Sequence, residues 1–89
     1  MPKKYIYTQD PAHGWVRVLR SELKRLGIEK DITCYSYENG KYVYLEEDCD
    51  ASTFIKAKEA KGEVFECVSK YVDKTAIRSY GSYQHPVES

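Results

Sequence analysis

Apolar and polar positions alternate in several short stretches of the chain and fall at helical spacing in two others. Tyr5-Ile6-Tyr7-Thr8 is aromatic and β-branched, and the Asp10-Pro11 step behind it ends extended pairing. Residues 5–8 therefore read as a first strand that an edge position would suit. Val16, Leu19, Leu23 and Leu26 lie at helical spacing and would allow one helix from Pro11 to Leu26. Gly14 and the two valines around Arg17 fit a pleat better, and Ser21-Glu22 is a fresh helix start. The pattern predicts a strand over 14–19 and a helix over 20–26 that Gly27 stops.

Asn39-Gly40 stands between the Tyr-rich runs 32–37 and 41–45, the arrangement of a β-hairpin. Tyr35 and Tyr37 would share one face, as would Tyr42 and Tyr44, so that cross-strand aromatic pairs each contribute roughly 0.2–1 kcal/mol. A second helix is predicted over 51–61, capped by Asp50, with Phe54 and Ile55 inward and Gly62 as its stop. Asp48 and Asp50 lie at its positive end, and Lys56, Lys58 and Lys61 toward its negative end. Residues 63–69 read as a long strand, 75–80 as a short strand or ordered tail, and 81–89 as a loose tail. The expected fold is α+β: one small domain over 1–89, ββαββαβ in order, with an antiparallel-rich sheet of four to five strands and two helices on one face. Discounting the first strand leaves the β-α-β-β-α-β order of a ferredoxin-like unit.

At 89 residues, 42% hydrophobic and 31% charged, the chain has enough apolar surface for one thin core, and nine tyrosines suit half-exposed sheet faces. Fourteen basic and fourteen acidic residues cancel. No global field draws in nucleic acid or an anionic membrane, so a charged partner must be read by a local patch. There is no apolar run of membrane-spanning length and no apolar stretch behind Lys3-Lys4, which implies no membrane association and a cytoplasmic location. Cys34, Cys49 and Cys67 are odd in number and lack CxxC spacing, so they read as reduced thiols in the core rather than a disulfide frame or zinc clip.

Tyr44-Leu45-Glu46-Glu47-Asp48-Cys49-Asp50 runs from a strand pattern into a block of carboxylates, which a helix start tolerates. Glu46, Glu47, Asp48 and Asp50 could hold a hard cation, but the glycine and terminal glutamate of an EF-hand loop are missing; neither a metal nor a cofactor is expected. His13 lies beside Trp15 and three residues after Asp10, the nearest approach to a polar pocket, and a pairing with Cys34 or Cys49 is the weak enzymatic reading. Residues 70–80 mix cations with tyrosines, the composition of single-strand nucleic-acid binders, yet three cations against one acid leave a solvated edge strand as the stronger reading. Phosphate loops, nucleophile elbows and zinc-ligand pairs are absent from the sequence.

His13-Gly14-Trp15, the hairpin, Tyr44 to Asp50 and Ile77-Arg78-Ser79-Tyr80 together make a series that resembles small uncharacterised proteins of tailed phages and prophages. The resemblance implies an accessory protein that works by binding; inhibitors of host defence such as anti-CRISPR proteins are one class of these. It also implies a shared surface of His13, Trp15, Glu46, Glu47, Asp48, Asp50, Arg78 and Tyr80, with an ion pair from Arg78 to an acid of the block.

The first expectation is thus a non-enzymatic protein that docks on a protein partner, with Tyr35, Tyr37, Tyr42 and Tyr44 giving contact area and the carboxylates steering. The alternative is a small-ligand or nucleotide binder using Arg78 on phosphate and Trp15 or a tyrosine as a stacking plate. A nucleic-acid binder or an enzyme ranks below both. Exposed strand edges permit a homodimer without requiring one.

Overall fold

Two-residue alternation builds a six-stranded mixed sheet in the computed structural model, which describes residues 3–73 and 76–84, without the Arg78 side chain. The strands are β1 (Lys3–Gln9), β2 (Gly14–Leu19), β3 (Tyr37–Asn39), β4 (Tyr42–Glu46), β5 (Phe65–Tyr71) and β6 (Gly81–Ser82), in the spatial order β5-β1-β2-β4-β3-β6. Helix α1 (Arg20–Leu26) links β2 to β3, and α2 (Asp50–Ala60) links β4 to β5. Every neighbouring pair is antiparallel except β1 with β5. That exception has a topological cause. Without β1, the order β5-β2-β4-β3 would be an interleaved antiparallel sheet of the split βαβ kind. The β1–β2 hairpin inserts β1 between β2 and β5, so β5 lies one place further out, beside a strand running its own way.

The first strand is therefore not an edge, and the sheet has six strands rather than four or five. Val16 and Val18 of β2 pair in register with Leu45 and Val43 of β4, and all four point to the same side. Leu23 and Leu26 of α1, Ala51 and Phe54 of α2 and Tyr5 of β1 join them in one buried cluster, which puts both helices on that face. Each large side chain fully buried in it contributes about 1.5–3 kcal/mol. Gly27, at φ 72°, ends α1 in the left-handed region that glycine adopts without strain.

Lys58, placed by the sequence toward the negative end of α2, is buried. Its Nζ donates to the Tyr5 hydroxyl at 2.8 Å, to Glu22 at 3.1 Å and to Glu63 at 3.0 Å. Glu22, also buried, accepts further bonds from Tyr5, Arg25 and Lys3. Burial alone would raise the Glu22 pKa, but the four donors outweigh it and hold the carboxyl at about 2. The network ties α1, α2 and β1 together, and no buried side-chain polar atom among the described residues lacks a partner.

Further expectations are corrected. Residues 32–36 do not extend the hairpin; β3 starts only at Tyr37, because Thr33 and Ser36 turn inward to Asp50. The two-residue turn is Gly40-Lys41, with positive φ at Gly40 only, as in a type II′ turn. Residues 81–84 are no loose tail: β6 pairs with β3, the buried Tyr83 amide donates to the Ser36 carbonyl at 2.8 Å, and its hydroxyl donates to the Glu29 carbonyl at 2.7 Å. Of the two readings for the run after β5, short strand or ordered tail, the second fits: Ala76–Ser79 form a 3-10 turn, and residues 74–75 and 85–89, His85 included, lie outside the described residues. All three cysteines are exposed, not core. No helix among the described residues is long and apolar enough to cross a membrane.

Candidate functional site

The sheet face away from the helices carries Trp15 and Arg17 of β2, Tyr37 of β3 and Tyr42, Tyr44 and Glu46 of β4, set there by the same alternation that turns Val16, Val43 and Leu45 inward. At one end of this face, His13, Trp15, Tyr35, Tyr37, Glu46, Asp48 and Cys49 line a cavity of about 350 Å³. Trp15 and Glu46 are register partners across β2 and β4. The Trp15 ring meets Tyr37 edge-on at 6.2 Å and His13 at a tilt at 6.1 Å.

The loop holding His13 is fixed by Asp10. Its carboxylate accepts from the amides of Ala12 at 2.9 Å and His13 at 2.8 Å, and its own amide donates to the His13 carbonyl at 2.8 Å. Asp10 thus shapes the β1–β2 turn. On the opposite wall, Glu46 accepts from the amides of Asp48 and Cys49, both at 3.0 Å, closing the turn that leads into α2. Glu46 therefore lines the cavity and holds its wall together, while the exposed Asp48 offers its carboxylate outward.

The carboxylate block does not gather at one rim. Glu46 and Asp48 face the cavity, whereas Glu47 accepts a hydrogen bond from the Tyr7 hydroxyl on the helix-bearing side of the sheet. Burial and then that bond push the Tyr7 pKa up to about 12. Asp50 is 1% exposed, so it presents nothing to a partner. Nor does it cap α2: the cap position is Cys49, without a side-chain bond, and Asp50 accepts instead from the Thr33 amide at 3.1 Å, the Thr33 hydroxyl at 2.8 Å and the Ser36 hydroxyl. It anchors the loop that carries Tyr35.

The tyrosines divide in the same way. Tyr35, 70% exposed, stands on the 33–36 loop and not on a strand beside Tyr37. Tyr42 lies under the Arg17 guanidinium at 4.5 Å, and Tyr44 packs on Tyr80 at 5.2 Å. Tyr44 and Tyr80 border a second cavity of about 250 Å³ with Arg17 and Lys70. Trp15 is 2% exposed, too enclosed to serve as an open stacking plate, although it lines the cavity. The Arg78 side chain, and so its expected ion pair and phosphate contact, lies outside the described residues.

Chemically, the cavity sets three aromatic side chains, an imidazole and two carboxylates around one small space. Aromatic faces and carboxylates both favour a cation. Cys49, read from the sequence as a core thiol or as a weak partner for His13, is exposed and lines the cavity with that histidine. Among the described residues no hydrogen bond joins Cys49 to His13, the contact that thiol–imidazole chemistry requires. Among them, too, no group of three or more His, Cys, Asp or Glu side chains is placed to hold a metal ion. Comparison with protein-family models, with curated proteins and with solved structures finds no match for this chain.

Proposed function

We propose that the protein is a non-enzymatic binding module that docks on another protein and receives a cationic side chain of it in the cavity between His13, Trp15, Tyr37 and Asp48. The convergence of these groups with Tyr35 and Glu46 around one space of about 350 Å³ supports this reading. A lysine or arginine entering there exchanges water for aromatic faces and a carboxylate, and the exposed Asp48 steers its approach. With zero net charge, such local steering is the electrostatic lever the chain has. The resemblance to phage accessory proteins extends the proposal to an inhibitor of a host defence system.

The test is a partner captured from bacterial lysate and then titrated in purified form. Asp48→Lys, which leaves the turn-closing Glu46 in place, is expected to slow association severalfold at low salt with little change in dissociation. An unaltered association rate would contradict the steering role. A second reading, small-ligand binding in the same cavity, is favoured by its volume, which falls at the lower end of ligand pockets. A thermal-shift screen with small cations and nucleotides separates the two, since a preformed ligand site is stabilised without any partner protein.

A further inference from the structure

β5 ends the sheet as a seven-residue edge strand without proline, and six of its seven residues are exposed. The opposite edge is the two-residue β6, a short strand of the kind that blunts pairing. Of the four large hydrophobics exposed among the described residues, three, Val64 (73%), Val68 (48%) and Tyr71 (61%), lie on or beside β5. Long, with exposed valines and uncovered by any described element, this edge is a template for another strand.

We infer that β5 pairs antiparallel with β5 of a second copy of this chain, about a two-fold axis through Val68. The Val72 amide donates to the Gln9 carbonyl at 2.9 Å, so by strand alternation the even-numbered backbone groups of β5 bond to β1. The amides and carbonyls of Cys67, Ser69 and Tyr71 then point outward, where a second β5 can meet them. With the axis at Val68, Cys67 exchanges its backbone bonds with Ser69 of the second copy, and Phe65 with Tyr71. Val68 faces its own counterpart in a non-hydrogen-bonded pair, the closer kind of side-chain approach.

The same register sets Glu66 against Lys70 of the second copy, twice by symmetry, and Val64 against Val72. An axis through Cys67 also satisfies the backbone but sets Glu66 against Val68 and Lys70 against Val64, leaving four charges without partners. Charge complementarity therefore selects Val68. Among the described residues Glu66 and Lys70 make no ion pair within the chain, so both are available to the second copy. The contact is isologous and closes at two subunits, joining two six-stranded sheets into one. It is independent of the cavity at His13 and Asp48, which β5 does not line.

Sedimentation across a wide concentration range tests this on the whole chain. A concentration-dependent dimer is expected. Glu66→Lys and Lys70→Glu should each weaken it about tenfold, because each sets like charges opposite one another at two symmetric places. The double variant Glu66→Lys/Lys70→Glu should restore wild-type affinity, since the exchanged charges again face opposite sign. Both side chains are exposed, and circular dichroism checks that the variants fold. A chain that stays monomeric at all concentrations overturns the proposal, as does a dimer indifferent to the single reversals or not rescued by the double one.

Discussion

Glu22 and Lys58 show how one side chain can carry a decision that its residue type argues against. Both occupy the inward stripes of their helices, beside Leu23 and Leu26 in α1 and Phe54 in α2, positions that periodicity assigns to apolar groups. Removing one partner leaves the other buried with fewer bonds to offset its desolvation. Lys58→Met is expected to cost about 3 kcal/mol in urea unfolding, whereas Glu22→Met/Lys58→Met should recover much of it, because an apolar pair needs no compensation for desolvation. Acid titration gives a second check. The Glu22 pKa is lowered to about 2 from its ordinary 4.5, so the unfolded chain protonates first; the stability is whole above about 4.5 and is lost as pH falls toward 2. Glu63, held at about 2 by Arg25 and Lys58, contributes in the same window. Glu22→Gln should therefore reduce the slope of stability against pH between 4.5 and 2 without abolishing it. The sequence reading took Glu22 as a helix start and Lys58 as a charge near a helix end, because their pairing depends on the distance between the two helices.

At the scale of elements, β2 and α1 have the bounds that pattern predicts, because valines around a charged residue and a terminal glycine are local signals. The 32–37 run failed as a strand for a non-local reason: the buried Asp50, from the start of α2, draws Thr33 and Ser36 out of the pleat. A parallel case joins β1, β2 and the turn after β4. A Cβ on Gly14 would come within 2.1 Å of the Tyr7 hydroxyl, so Gly14→Ala must displace the phenol from Glu47. The expected cost is about 1–2 kcal/mol for the lost, part-buried bond to a carboxylate, measured by thermal or urea melts. The Tyr7 pKa is raised to about 12 from 10.0, so its contribution is complete below pH 10 and is lost as pH rises through 12. Tyr7→Phe should remove that alkaline loss, read from melts across this range.

For the whole molecule, the C-terminal segment decides more than its composition suggests. The 3-10 turn at Ala76–Ser79 buries Ile77, Tyr80 stacks on Tyr44, and β6 with Tyr83 closes the edge of β3 and reaches the main core cluster. Truncation after Tyr80 should lower the melting temperature markedly, and Tyr83→Ala alone should cost about 3 kcal/mol or more, as for other large core aromatics. A chain ending at Gln84 retains every described contact and is the control for the truncation. The cavity depends on the same closure, since Ser36, which bonds to Tyr83 through its carbonyl, stands between Tyr35 and Tyr37.

The sequence alone determined the α+β class, the bounds of β2 and α1, the hairpin and the strand-to-helix passage through the carboxylate block, because these rest on spacing, turn residues and caps within a few positions. Only the tertiary structure decided that Asp50 is an internal anchor, that Glu47 serves Tyr7, that Glu46 and Asp48 share a cavity with His13, Trp15, Tyr35 and Tyr37, and that β5 lies parallel to β1 at an open edge. Periodicity tells which side of a strand a residue faces, but the partner across that face is chosen by how distant segments pack.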